Sequence, residues 1–218
     1  MKKFSRCKFA FGTGLIFCFA FWTSLVLLVD KKSIGPLGSR VGFASLNGWF
    51  HSLTGVNMWL YNLTDILSFI PFAFAFFFAV LGLIQLIKRK GLVKVDFDVL
   101  MLGIHFFAVI FSYLLFEILV INYRPILING VLEASYPSST TMLALSVMIP
   151  SIFQVRKRIK NKALMVISVS LISIFTVFML VGRLISGVHW LTDIIGGTLL
   201  SGGFILIYSA FYKIKLEK

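Results

Sequence analysis

Six apolar runs separated by short polar stretches leave this chain few ways to fold. They extend from about Phe9 to Val29, Ile66 to Ile87, Val99 to Ile121, the Ser138–Thr141 cluster to Phe153, Ala163 to Val181, and Trp190 to Tyr212. An apolar helical segment of about 20 residues matches the hydrocarbon core of a bilayer. The chain is 59% hydrophobic and only 13% charged, which excludes an ordinary soluble domain. The expected fold is all-α, a six-transmembrane-helix bundle forming a single domain over residues 1–218. The first run could be read as a signal peptide. It is long enough to span, and no small-x-small cleavage site follows Asp30-Lys31-Lys32, so a first span is expected.

Between the first two runs lies a polar-to-amphipathic loop, residues 30–56, containing Gly35-Pro36 and Gly38. Its Val41–Leu53 part is aromatic and amphipathic, and should lie along the interface with Trp49 and His51 at headgroup level. The fourth run is short, about 15 residues or about 22 Å at helical rise. Its Ser-rich start should therefore sit in a recess below the bilayer surface. Pro150 should kink or end its regular part. His105, deep among Phe106, Phe107 and Phe111, reads as a packed, neutral core histidine. Cys7 and Cys18 offer neither a disulfide nor metal spacing.

The charges set an orientation. Basic residues cluster at Lys2, Lys3, Arg6 and Lys8, at Lys88–Lys90 and Lys94, at Arg156–Arg158 with Lys160 and Lys162, and at Lys213, Lys215 and Lys218. With six spans these all fall on one side, leaving Lys31, Lys32, Arg40, Arg124 and Arg183 on the other. The positive-inside rule then predicts cytoplasmic N- and C-termini. The net charge of +13 is accounted for by topology and by attraction to membrane lipids, so no nucleic-acid partner is expected.

This topology gathers Arg124, Ser138, Ser139, Arg183, His189 and Asp193 on the extracytoplasmic side, from four span ends. Ionisable residues at such positions mark function by default. His189 and Asp193 are four apart, so on a helix they share a face, and the carboxylate can hold one imidazole nitrogen while the other faces a substrate. Ser138 follows Pro137 and stands at a helix N-cap, where free backbone N–H groups form an anion site. Two guanidinium forks complete a pocket matched to phosphate. These parts suit phosphate-ester cleavage through a phosphohistidine.

The same residues resemble the type-2 phosphatidic acid phosphatase and vanadium haloperoxidase superfamily, in its membrane lipid-phosphatase branch. The residues that carry the resemblance are Arg124-Pro125, Pro137-Ser138, and Arg183 with His189 and Asp193 at the family's third-motif spacing. The resemblance implies His189 as nucleophile and Asp193 as its orienting carboxylate. It implies Arg124, Arg183, Ser138 and Ser139 as the substrate-binding set, with neither cofactor nor metal. The substrate would be a lipid phosphate or diphosphate, of phosphatidic acid or polyprenyl (undecaprenyl) type, and the setting a bacterial cell membrane. The sequence departs from the motifs at Glu117, where the family has Lys, at Ser139 for Gly, at Thr140 for His, and at Gly182 for Ser. Glu117 stands seven residues before Arg124 and reads as its supporting carboxylate. The loss of the motif histidine removes the family's proton donor. Two functions therefore stand side by side: a membrane lipid-phosphate phosphatase, and a non-catalytic relative that binds or translocates lipid phosphates.

Overall fold

The computed structural model describes residues 3–216; Met1, Lys2, Glu217 and Lys218, and so the outermost lysine of each terminal basic cluster, lie outside the described residues. The helices are α1 (Lys3–Leu28), α2 (Ala44–Thr54), α3 (Met58–Leu67), α4 (Phe69–Arg89), α5 (Phe97–Ile118), α6 (Ser139–Arg158), α7 (Lys162–Ile185) and α8 (Leu191–Leu216). Among the described residues there is no strand, only isolated bridges such as Tyr123 with Ala134. Five segments are long and apolar enough to cross a membrane: Phe4–Leu28, Met58–Arg89, Phe97–Ile118, Lys162–Ile185 and Leu191–Tyr212. Large side chains such as Phe17, Phe76, Phe107 and Ile174 point outward from these helices, the inverse of a soluble protein.

The long helix outside that set is α6. It fills the middle of the bundle, against α4, α5, α7 and α8, and buries Thr140, Thr141, Ser146, Ser151 and Gln154 along with its apolar face. Thr140, Ser151 and Gln154 bond to Arg183, the Val147 carbonyl and Tyr208, while the hydroxyls of Thr141 and Ser146 have no partner in the structure. α6 is also longer than the expected stretch to Phe153: it runs to Arg158, with Pro150 inside it. The extra turns are held by Gln154 Nε2 donating to Tyr208 Oη at 2.7 Å and by Arg158 and Lys157 on the buried Asp98 carboxylate. Pro150 has no N–H to give the Ser146 carbonyl one turn back. His105 Nε2 takes that place, 2.7 Å from Ser146 O, and because a carbonyl only accepts, Nε2 must be the protonated nitrogen. The core histidine thus repairs the backbone gap that the proline opens.

The second apolar run also begins earlier than expected. Asn57 caps α3 by accepting from Leu60 N at 2.9 Å, and α3 and α4 meet at Ser68 in one long segment, Met58–Arg89. Asp65 therefore sits inside a helix rather than at its outer end. α5 closes at Ile118, before the expected Ile121, and the chain from 119 to 138 folds as irregular backbone.

α1 lies along α8 more intimately than any other pair. A Cβ at Gly12 would come within 2.9 Å of Gly203 O, and one at Gly203 within 3.1 Å of Gly12 O. Small residues here let two backbones approach, the usual device where lipid offers no hydrophobic driving force. α2 is amphipathic as expected, with Trp49 exposed, but its inner face is a structural floor. Asn47 is wholly buried, donates to Gly42 O and Thr192 Oγ1, and accepts from Thr192 N. His51 faces the turn before α8: Nε2 is 3.1 Å from Gly187 O and its ring packs on Trp190.

Candidate active site

Up-and-down connectivity brings one end of every long helix to a common place. The ends of α5 and α7, the starts of α6 and α8, and α2 and α3 meet there, and the six residues expected to form the site come with them.

His189 is not on a helix. It lies in the turn 186–190 between α7 and α8, so the expected shared helix face with Asp193 does not form. The turn is held by Gly187, at φ +68, where a Cβ would fall 1.8 Å from Gly55 O; no other residue fits. Asp193 stands in the first turn of α8, and its Oδ2 accepts from Trp190 N at 2.9 Å, the reach-back of an N-terminal capping carboxylate. The same oxygen accepts from Ser135 Oγ at 2.5 Å, and Oδ1 lies 3.5 Å from Asn122 Nδ2. Asp193 therefore does not grip His189 directly: Oδ2 is 3.8 Å from Nδ1. The Ser135 carbonyl is the closer partner of Nδ1, at 3.1 Å. Both neighbours of Nδ1 are acceptors, so Nδ1 carries the proton and Nε2 keeps its lone pair. That lone pair faces Arg124 Nη1 at 3.4 Å. Burial, the largest influence, and the nearby guanidiniums push His189 down to about 4, so the ring is neutral at pH 7.

Each arginine has a carboxylate partner that the sequence reading did not assign. Arg183, almost wholly buried, donates from Nη2 to Asp65 Oδ1 at 3.0 Å and to Thr140 Oγ1 at 2.6 Å. Arg124 Nε lies 3.0 Å from Glu133 Oε2, though off the N–H direction. Glu117 is thus not the carboxylate of Arg124. The seven-residue spacing presumed one continuous helix, whereas α5 ends at Ile118. Tyr61 lies beside both guanidiniums, 4.8 Å from Arg183 Cζ and 5.9 Å from Arg124 Cζ. Its ring can hold two like charges near each other. The Nε of Arg183 has no partner in the structure.

Ser138 caps α6, its Oγ accepting from Thr141 N at 3.5 Å and its N–H donating to Asp193 O at 3.1 Å. It is fully buried; Ser139 is the more open of the pair and borders a small polar recess shared with His189 and Glu117. The first two N–H groups of α6 have no partner within the helix and remain free for an anion. A larger cleft of about 430 Å³ runs from Thr140, Ser139 and Asp65 between α4, α5 and α6 to Phe72 and Leu143.

Sequence reasoning missed Ser135, Asn122, Asp65, Glu133 and Tyr61. None has motif spacing to either histidine or arginine. A signal was present only for Asp65, an acid inside an otherwise apolar segment.

Fold and site together define a multi-pass membrane protein with a neutral, buried histidine set against two guanidiniums at a helix start. The chain belongs to the PAP2 superfamily, whose family model matches residues 13–216. With that membership goes the general class of phosphatase. The fold is similar to the crystal structure of a transmembrane PAP2-type phosphatidylglycerolphosphate phosphatase from Bacillus subtilis, with a TM-score of 0.60 at 17% identity, covering 95% of this chain and 97% of that one. No curated protein matches the chain.

Proposed function

We propose that the protein hydrolyses a lipid diphosphate at the extracytoplasmic face of a bacterial cell membrane, through a phosphohistidine at His189. The observation that carries the reading is the setting of the ring: His189 Nδ1 lies 3.1 Å from the Ser135 carbonyl, which can only accept, and Nε2 faces Arg124 Nη1 at 3.4 Å. In this reading Nε2 attacks phosphorus, the Ser135 carbonyl holds the ring with the Asp193 carboxylate 3.8 Å from Nδ1, and Arg124 and Arg183 take the phosphoryl oxygens. Ser138 and Ser139 present the start of α6. The cleft at the depth of the apolar helices supports a lipid substrate, since it leads from Thr140 to a wall of Phe72 and Leu143. A sixth crossing by α6 and cytoplasmic termini complete this reading; what supports them is the pattern of basic clusters, such as Lys88 and Arg89 ending α4 and Arg156–Arg158 ending α6.

Thr140 favours a diphosphate. It accepts from Arg183 and, as an alcohol, cannot deliver a proton at neutral pH. A monophosphate ester leaves as an alkoxide and needs a donor, help worth about 10²–10⁴-fold. A diphosphate leaves as a phosphate monoester with a second pKa near about 6, a stable anion. The test is phosphate release by the purified protein in detergent, from polyprenyl diphosphate, phosphatidylglycerophosphate and phosphatidic acid, with His189→Ala as control. The reading expects the diphosphate to lead and Thr140→His to raise the monophosphate rate. Equal wild-type rates on phosphatidic acid would refute the preference. Activity that survived His189→Ala would refute the mechanism. The carboxylate partners of both arginines favour one rival, a non-catalytic lipid-phosphate binder; saturable binding with no release from any substrate would select it.

A further inference from the structure

A phosphohistidine must be hydrolysed, and the groups beside His189 leave few candidates for the base. Both Asp193 oxygens are occupied, by Ser135, Trp190 and Asn122. Asp65 and Glu133 are committed to the arginines. Thr140 is an alcohol held by Arg183. His105 serves the Ser146 carbonyl and His51 the Gly187 carbonyl.

One carboxylate remains at the site. Because α5 stops at Ile118, Glu117 is the last acidic group of that helix, and it borders the recess that His189 reaches from the turn before α8. Tyr113, Ser135 and Ser139 border it too. Its volume of about 20 Å³ suits a single water. Glu117 is exposed, stands in the last turn of α5 and makes no ion pair among the described residues, so its carboxylate is uncommitted.

We propose that Glu117 is the general base of the second half-reaction. The inference rests on His189 being the phosphoryl acceptor. A water in the recess attacks phosphorus. The P–Nε2 bond breaks and its electron pair returns to Nε2, while Nδ1 keeps its proton. The proton lost by the water passes to the Glu117 carboxylate. The products are inorganic phosphate and the neutral imidazole of the resting site. In this chain the two proton tasks are separated: a stable anion leaves without help in the first step, and a carboxylate from α5 serves the second.

The test is trapping of the intermediate in the full-length protein in detergent, with polyprenyl diphosphate labelled in its terminal phosphate. Glu117→Gln keeps the side-chain size and should lower turnover about 10²–10⁴-fold. An acid-labile phosphoprotein should then accumulate toward one label per chain, and His189→Ala should abolish it. Glu117→Asp should fall between wild type and the glutamine variant in both readouts. Turnover of Glu117→Gln within a few-fold of wild type would overturn the inference and leave the phosphatase reading intact. Slow turnover without phosphoprotein would also overturn it, since the defect would then precede the intermediate. Failure of wild type and variant alike to release phosphate or take up label would overturn the phosphatase reading, and the inference with it.

Discussion

The pairing of His105 with Pro150 allows a sharp energetic test. In α6 the N–H of residue 150 would normally bond the Ser146 carbonyl, and proline has none to offer. The His105 ring fills the gap at 2.7 Å, in a place closed to water. His105→Leu should leave that carbonyl bare and also disturb packing against Phe106, Phe204 and Tyr208. Pro150→Ala restores the N–H, so the carbonyl then has a donor within its own helix. In that background His105→Leu should cost only the packing. The packing loss occurs in both backgrounds and cancels in a double-mutant cycle, which isolates the hydrogen-bond part. A buried unsatisfied acceptor costs about 1–3 kcal/mol in soluble proteins. Interhelical bonds in membrane bundles average about 0.6 and reach about 1.7 kcal/mol. The second scale applies here, so a coupling of about 1 kcal/mol is expected. Reversible unfolding of the four proteins in mixed detergent would measure it. If His105→Leu costs the same in both backgrounds, within about 0.3 kcal/mol, then the histidine is packing alone and the repair argument is wrong.

Further predictions concern the site. His189, held neutral by burial at about 4 against an ordinary 6.5, binds a proton in the unfolded chain before the folded one. Its contribution should therefore destabilise the fold progressively as pH falls from about 6.5 to about 4 and vanish above that window. The acid limb of kcat/KM, read from a pH profile, should likewise lie near the lower value; a limb at the ordinary imidazole pKa would refute the buried neutral ring. Ser135→Ala removes the 2.5 Å donor to Asp193 but keeps the carbonyl on Nδ1. It should lower kcat by about tenfold, equivalent to about 1.4 kcal/mol, and an unchanged kcat would show that the hydroxyl is incidental. Arg183→Lys should lose about 2.7–4 kcal/mol of transition-state stabilisation, because one ammonium cannot serve both Asp65 and Thr140 and still face a phosphoryl oxygen; full activity in steady-state assays would reduce Arg183 to an anchor. Val131, exposed beside the site, gives the topology test: Val131→Cys in a chain lacking Cys7 and Cys18 should react with an impermeant thiol reagent on intact cells, and labelling only after lysis would reverse the orientation.

Sequence alone was enough for the helical membrane architecture and for most of the residues that meet at the candidate site. Long apolar runs with no water to satisfy their backbone have little choice but helix, and that constraint is local. The arginines, His189 and Asp193 were legible for a related reason: ionisable groups are rare at such span ends, and their spacing matched a family pattern. Tertiary structure decided what those groups touch. Asp193 was expected to hold the imidazole, yet its oxygen went to Ser135 and Trp190 N, because α8 begins two residues after His189. Glu117 was expected to support Arg124, but a periodicity argument holds only while the helix lasts, and α5 ends one residue after Glu117. Pro150 was expected to kink or end the regular part of α6; the helix continues to Arg158, and the carbonyl that the proline leaves bare is met by a histidine forty-five positions away on another helix. Asp65, Glu133 and Tyr61 carry no spacing toward the arginines at all. Each of these outcomes depends on a partner distant in the chain. A buried donor or acceptor takes whichever complementary group the packing brings within about 3 Å, and that choice is made only when the helices meet.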